Sequence, residues 1–290
     1  MRILFDADSL VYGCGFAAQK TLYDWTATNG RAIEEGIAPG AEALAEVRAL
    51  LPEGWTLEAF PVVEAEPREN ALALAKRQLY RVEEDLEKAG LKFERLALYL
   101  TGKGNWRDEV AKVRPYKGNR IGMEKPIHYP ALRRYLRTRW GATVIHGREA
   151  DDQVAIESYA LGHDPAKVII VSQDKDLRTV PGLLYNYRKR EFELITERAA
   201  SFNFYTQLLV GDLTDNIVGC YKVGAAGAAK LLSTEMTDRQ MYEVVLEQYR
   251  LSQAKKGCEY AYLPAEDVIL EFGKLLHMER YEGDRWQVPA

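Results

Sequence analysis

The sequence is poor in the residues that support thiol or imidazole chemistry. Among its 290 residues there are only three cysteines, Cys14, Cys220 and Cys258, and they lie far apart. None has the close spacing of a zinc site, and three cannot form a disulfide framework, so a reducing compartment, the cytoplasm, is expected. The four histidines, His128, His146, His163 and His277, are scattered. No Ser-His-Asp arrangement with supporting motifs accompanies them. Long apolar runs are also missing. None approaches the ~18 residues needed to span a membrane. The start, MRILFDADSLVYG, is broken by Asp6 and Asp8 and lacks the pattern of a secretory signal. No internal repeat of 20–50 residues is visible, which excludes solenoids and propellers. What remains is an ordinary globular composition, 47% hydrophobic and 28% charged, long enough for one large domain or two smaller ones.

Against that background the carboxylates stand out. The stretch GREADDQVAIESYALGHDPAKVIIVSQDKD begins with Glu149, Asp151 and Asp152, continues through a helical segment, and reaches the apolar run Val168 to Val171. That run reads as a buried parallel strand, with Asp174 and Asp176 just beyond its carboxyl end. Parallel sheets place their sites at the carboxyl ends of strands. The two acidic clusters are therefore expected to meet. Arg2 to Phe5 reads as a first strand closed by Asp6, and residues 8–18 as a helix, so Asp6 is either a site acid or a helix cap. Further on, GDLTDN supplies Asp212 and Asp215, three apart. Carboxylates gathered in one place need a counter-charge, and a hard divalent cation with oxygen ligands is the usual one.

Basic charge is equally segregated. Between Lys103 and Arg139 there are 11 Lys and Arg against 3 Asp and Glu, in a chain of formal net charge −4. Such a patch suggests a phosphate-binding footprint despite the acidic total. Trp106, Tyr116, Tyr129 and Trp140 are interspersed with it, and aromatic faces can stack on unpaired bases. Residues 20–95, by contrast, carry 10 basic and 15 acidic side chains and suggest a solvated outer layer.

The remaining pattern alternates short apolar strands with helices. Strands are expected at Leu96–Leu100, 142–146, 183–187 and 192–195, and helices at 69–90 and 131–140, which indicates an α/β domain with a mainly parallel sheet. From about Phe202 the pattern is helical to the end. Within it, GDLTDNIVGCYKVGAAGAAKLL places Gly211, Gly219, Gly224 and Gly227 around short apolar pieces. A Gly-rich turn opening a helix exposes N–H groups suited to a phosphodiester, although Gly-Ala runs also serve plain helix packing.

Five motifs in order, FDAD, RPYKGNR, READD, VSQDKD and GDLTDNIVGCYKVGAAGAAKLL, resemble the 5′-nuclease family, above all the bacteriophage 5′-to-3′ exonucleases and flap endonucleases. The resemblance covers most of residues 1–232. It implies a PIN-like α/β domain over 1–198, with a mainly parallel central sheet flanked by helices and a basic helical arch at about 103–139. A helical DNA-binding region with a helix–three-turn–helix would follow over 199–290. The implied activity is metal-dependent hydrolysis of DNA from 5′ ends or flaps. Asp6, Glu149, Asp151 and Asp152 match the acids around a first Mg²⁺ or Mn²⁺, and Asp174, Asp176, Asp212 and Asp215 those around a second. Lys117 and Arg120 match a basic pair on the scissile phosphate, and Tyr116 an aromatic that stacks on the terminal base. Lys112, Arg114, Gly219, Lys222, Gly224, Gly227 and Lys230 match positions along the DNA path, with K⁺ an ion the resemblance also admits at the Gly-rich turn. Of the catalytic roles, Asp6, Glu149, Asp151, Asp174, Lys117 and Arg120 carry the expectation. The partner is duplex DNA with a 5′ end or flap, or an RNA:DNA hybrid, and the expected state is a monomer. One position departs from the pattern. Where the family has an aspartate after the second core strand, this chain has Gly102, so Asp8 or a water would have to stand in. The competing readings are a PIN-type ribonuclease and a DNA-binding protein without turnover.

Overall fold

A computed structural model describes all residues from 1 to 290. In chain order its elements are β1 (Arg2–Asp6), α1 (Asp8–Ala17), β2 (Gln19–Thr28), β3 (Ile33–Ala38), α2 (Ala41–Leu50), β4 (Thr56–Ala65), α3 (Arg68–Lys88) and β5 (Leu96–Asn105). The four-residue α4 (Arg107–Val110), α5 (Tyr129–Trp140), β6 (Thr143–Gly147), α6 (Ala150–Ala160), β7 (Val168–Val171), β8 (Gly182–Asn186) and β9 (Glu191–Ile195) follow. The chain closes with α7 (Glu197–Val210), the two-residue strands β10 (Gly211–Asp212) and β11 (Ile217–Val218), α8 (Ala225–Leu231), α9 (Asp238–Gln253) and α10 (Ala265–Leu276). No helix is long and apolar enough to cross a membrane.

The chain forms two compact units. The first gathers residues 1–9, 82–123 and 137–290, and the second residues 10–81 and 124–136. The C-terminal helical region expected from residue 199 onward thus lies in the same unit as the central sheet.

In the first unit a six-stranded sheet runs β6-β5-β1-β7-β8-β9. All its pairings are parallel except the last, β8 with β9. The middle strands read RILFD and VIIV because both faces are covered, and Ile3, Leu4, Phe5, Ile169 and Val171 are fully buried. Each such side chain contributes about 1.5–3 kcal/mol by leaving water. From β1 the chain builds outward on one side through β5 and β6, then returns to the other side of β1 with β7. The carboxyl ends of β1, β5 and β7 therefore flank a point where the strand order reverses, which is where open α/β sheets form their crevice. A second apolar cluster, with Leu208, Val245, Tyr249, Ile269 and Phe272, packs α7, α9 and α10 together. The helix starts are chemically ordinary. Thr196 caps α7 and Thr237 caps α9, each accepting the backbone N–H three residues on.

The second unit contains an antiparallel sheet, β3-β2-β4, that the sequence pattern did not disclose. All ten residues of β2 pair with β4. Trp25 lies across Gly36 on the neighbouring strand, where a β-carbon would come within 2.9 Å of its ring. Leu57, Ala59 and Val63 turn to one face while Phe60 and Val62 stand exposed on the other. With apolar residues on both faces there is no polar alternation to read. The helix expected at 69–90 is α3. Its buried stripe is Ala71, Ala75, Leu79, Val82 and Leu86. Of the basic stretch 103–139, residues 106–128 contain only α4 and a 3₁₀ turn at Gly118–Arg120, so only α5 exceeds two helical turns.

Candidate active site

Asp6 ends β1 and is almost wholly buried. Its Oδ1 accepts the Asp8 N–H at 3.2 Å, and the Ser172 hydroxyl donates to Oδ2 at 3.4 Å. Burial, reinforced by the charges of Asp8 and Asp174, pushes the Asp6 carboxyl up to about 8. Ser172 follows β7 and begins a ladder of turns, its hydroxyl accepting the Asp174 N–H at 3.0 Å and the Asp174 carboxylate accepting the Asp176 N–H at 3.0 Å. These turns aim VSQDKD at the crevice. Burial, with Asp174 and Asp212 nearby, pushes Asp176 up to about 7.

Glu149 is the N-cap residue of α6, and Asp151 lies in its first turn. Burial and the charges of Glu149 and Asp152 push Asp151 well above the usual carboxylate range. Asp152 behaves differently. Although burial opposes its charge, Arg107 holds it below that range, with bidentate contacts of 2.6 and 2.9 Å. Both its oxygens are committed to that guanidinium and its side chain is fully buried. The expectation that Asp152 is one of the acids around the first metal is corrected to this extent: both its oxygens face an arginine.

The RPYKGNR loop docks on the GDLTDN loop. Lys117 donates its N–H to the Asp215 carbonyl at 3.0 Å, and Asn119 its amide to the Leu213 carbonyl at 2.6 Å. Arg120 reaches the Thr214 carbonyl at 3.0 Å and the Asp215 carboxylate at 2.8 Å. Asn216 closes the contact on the Pro115 carbonyl at 2.9 Å. Lys117 has a left-handed backbone, φ 52°, which turns its side chain back so that the ammonium pairs with Glu149 and lies 3.7 Å from Asp215. Burial opposes the Lys117 charge, but Glu149 and Asp215 outweigh it and raise the ammonium above its usual range. Burial raises Asp215, with Lys117 opposing the effect. Asp212 is buried, yet Lys175, 2.8 Å away, and the N–H groups of Thr214 and Asp215 bring it below the usual range.

Tyr116 is a second correction. It is only 8% exposed, and its hydroxyl lies 2.8 Å from both Glu149 Oε2 and Asp215 Oδ2, sharing its one hydrogen between them. Such a buried ring is not placed to stack on a terminal base; it links two acids.

The remaining sequence candidates divide. Arg114 is held by Glu259 at 2.7 Å, and the N–H groups of Lys112 and Val113 by Glu271 at 2.7 and 2.9 Å. Lys222 is exposed just before α8 and Lys230 in its last turn, with Gly224 as the cap of that helix and Gly227 within it. Gly219 is required by packing, since a β-carbon there would lie 2.2 Å from the Val210 carbonyl carbon. Two residues that carry the geometry were not singled out in the sequence. Arg107 was only one of 11 basic residues in its stretch, and Lys175 sat between the aspartates of DKD.

Gly102 has a structural reason. A β-carbon there would fall 2.5 Å from both His146 Nδ1 and the Ile145 carbonyl. Beside it, the Asp8 carboxylate accepts the Thr101 N–H at 2.9 Å. Asp8 thus reaches β5 beside Gly102, the position where the family pattern has its acid.

The donor set is all carboxylate, as a hard divalent ion requires, and four of these acids are raised above their ordinary range by burial. No three side chains converge closely enough to chelate one ion together. The set therefore fits an ion held partly through water rather than caged.

No family model matches the sequence, and no curated protein matches it either. The fold does have solved relatives. A structure of the T5 5′-exonuclease with bound zinc aligns over 95% of this chain and 88% of its own, at 15% identity and a TM-score of 0.53. The bacteriophage T5 flap endonuclease, in complex with DNA and metal ions, aligns over 68% of this chain and 88% of its own, at 17% identity and a TM-score of 0.41. A parallel sheet with acids at the ends of β1 and β7, a basic loop docked on the Asp212–Asp215 turn, and this alignment over nearly the whole chain agree: the chain has the PIN-like α/β fold of the 5′-nucleases.

Proposed function

We propose that this protein is a divalent-metal-dependent nuclease that hydrolyses DNA phosphodiesters from 5′ ends or 5′ flaps. The observation that carries the reading is the pairing of Lys117 with Glu149 and Asp215 above a set of acids whose charges burial leaves poorly compensated. The order of the five motifs and the zinc ions bound by the T5 relative support it.

Asp6, Glu149 and Asp151 would hold one Mg²⁺ or Mn²⁺, and Asp174, Asp176, Asp212 and Asp215 a second. Bound there, such ions activate a water as nucleophile and offset charge on the attacked phosphate and the leaving oxygen. The chain's own residues do the rest. Lys117 stays protonated and presents its ammonium at the mouth of the acidic crevice, where it meets a scissile phosphate. Arg120 lies beside it to hold the adjacent phosphate. Exposed Lys222 and Lys230 supply phosphate contacts along a duplex. Tyr116 links Glu149 and Asp215 and so helps to hold the two acids in place beside Lys117.

A second reading, a DNA-binding protein without turnover, draws on Gly102, where the family acid is sterically barred. An Mg²⁺ titration on an end-labelled duplex with and without a 5′ flap separates the two. Ion-dependent release of 5′ mononucleotides or short flaps is expected. Retained binding with no product in Mg²⁺ or Mn²⁺ would leave the second reading standing.

A further inference from the structure

Arg107 is fully buried, and its guanidinium is bonded from several directions. Nε–H donates to the Leu275 carbonyl at 2.8 Å, at the end of α10. One terminal nitrogen donates to Asp152 at 2.6 Å, and the other serves both Asp152 at 2.9 Å and the His277 carbonyl at 2.8 Å. The first of these nitrogens also lies 3.9 Å from Glu149 Oε2. Four of five possible donors are thus used, in a planar fork that only arginine has. Two guanidiniums lie over the ring of its neighbour Trp106, that of Arg107 at 4.5 Å and that of Arg285 at 3.5 Å from its centre. Arg285 in turn pairs with Glu279, whose N–H donates to Asp152 at 3.3 Å.

These contacts join three parts of the chain. They are the start of α4 after β5, the first turn of α6, and the segment that follows α10. The first turn of α6 carries Glu149 and Asp151. Asp152 also accepts the Glu149 N–H at 3.3 Å, so the rotation of that turn about the helix axis follows wherever Arg107 holds Asp152.

We propose that Arg107 is a positioning residue which, through Asp152, orients the first turn of α6 so that Glu149 and Asp151 face the metal crevice. The proposal rests on the nuclease reading of that crevice. Asp152 is then a handle on the helix rather than a ligand. Groups that orient ligands commonly affect ion affinity by ~10–100-fold.

The test is a double-mutant cycle on Mn²⁺ binding by the protein alone, measured by titration calorimetry. Wild type, Arg107→Lys, Asp152→Asn and the double variant are compared below their melting temperatures. Cleavage of a 5′-flap duplex is followed in parallel across Mn²⁺ concentrations. Lysine keeps the charge but cannot bond both carboxylate oxygens and two carbonyls at once. Asp152→Asn keeps the volume and stands in should Arg107→Lys fail to fold. Each single variant is expected to weaken Mn²⁺ binding by ~10–100-fold, with KM for DNA unchanged and kcat recovered at high Mn²⁺. The double variant should be no weaker than the worse single, because both act through one contact. Losses that add would make Asp152 a ligand in its own right and overturn the proposal. So would single variants that bind Mn²⁺ like wild type while melting lower, which is a structural role only. In both cases a wild type that binds and cleaves leaves the nuclease reading intact. A wild type that neither binds Mn²⁺ nor cleaves removes the reading, and the proposal with it.

Discussion

Gly102 and His146 approach so closely across the β5–β6 pairing that a β-carbon on Gly102 would lie 2.5 Å from His146 Nδ1. The same ring nitrogen accepts the Lys103 N–H at 3.1 Å. The family acid absent at this position therefore cannot be restored by one substitution. Gly102→Asp is expected to destabilise the fold by about 2–4 kcal/mol through overpacking, without strengthening Mn²⁺ binding. Thermal melts and calorimetry check both parts. A stable Gly102→Asp variant with tighter Mn²⁺ binding would show that the strand pairing yields.

Lys117→Ala should slow cleavage by ~10²–10³-fold, the usual effect of removing one preorganised group that stabilises transition-state charge. Duplex affinity should change much less. Asp174→Ala should abolish cleavage while leaving DNA binding largely intact. Single-turnover rates and binding isotherms measured side by side decide both. A parallel loss of affinity would move the residue to a binding role.

Tyr116→Phe separates two roles for this ring. The phenylalanine keeps the aromatic face but leaves Glu149 and Asp215 without their shared donor, worth ~1 kcal/mol per hydrogen bond. A shift in the Mn²⁺ concentration for half-maximal cleavage, at unchanged KM for DNA, is expected. A variant that matches wild type in metal dependence would show the hydroxyl to be dispensable.

The acids also set a pH dependence. Asp6 is raised to about 8 and Asp176 to about 7, from an ordinary 3.8. Between those values the folded chain binds protons that the unfolded chain releases, so stability falls as pH rises. In a chelator, the melting temperature should drop by roughly 5 °C or more between pH 5.5 and 8.5, taking 2–4 °C per kcal/mol. Mg²⁺ should restore it at the high end, since a cation there does the work of the protons. A melting temperature that is flat with pH in the chelator would mean that the acids are already neutralised by the chain.

Much was legible along the chain where the physical cause is local. The buried strands β1 and β7 announce themselves because both faces are covered, so their sequences are apolar without interruption. The acids of READD, DKD and GDLTDN could be listed before any fold was known, since they fall in short dense clusters along the chain. The antiparallel sheet of residues 19–65 could not, because its exposed face carries Ile33, Ile37, Phe60 and Val62 and blurs the alternation on which such a reading depends.

By itself the sequence determined the order of α and β segments, the segregation of basic and acidic stretches, and the identity of the carboxylates. These follow from periodicity and composition, which are properties of neighbours in the chain. Only the tertiary structure decided which acids keep open lone pairs. Asp151 and Asp152 are adjacent and chemically identical, yet one is raised by burial among acids and the other held down by an arginine 45 positions away. The same holds for Tyr116, turned inward to bridge two acids, and for Gly102, kept bare by a neighbouring strand. Desolvation and close approach depend on what folding brings alongside a residue, and that is set by packing across the whole sheet.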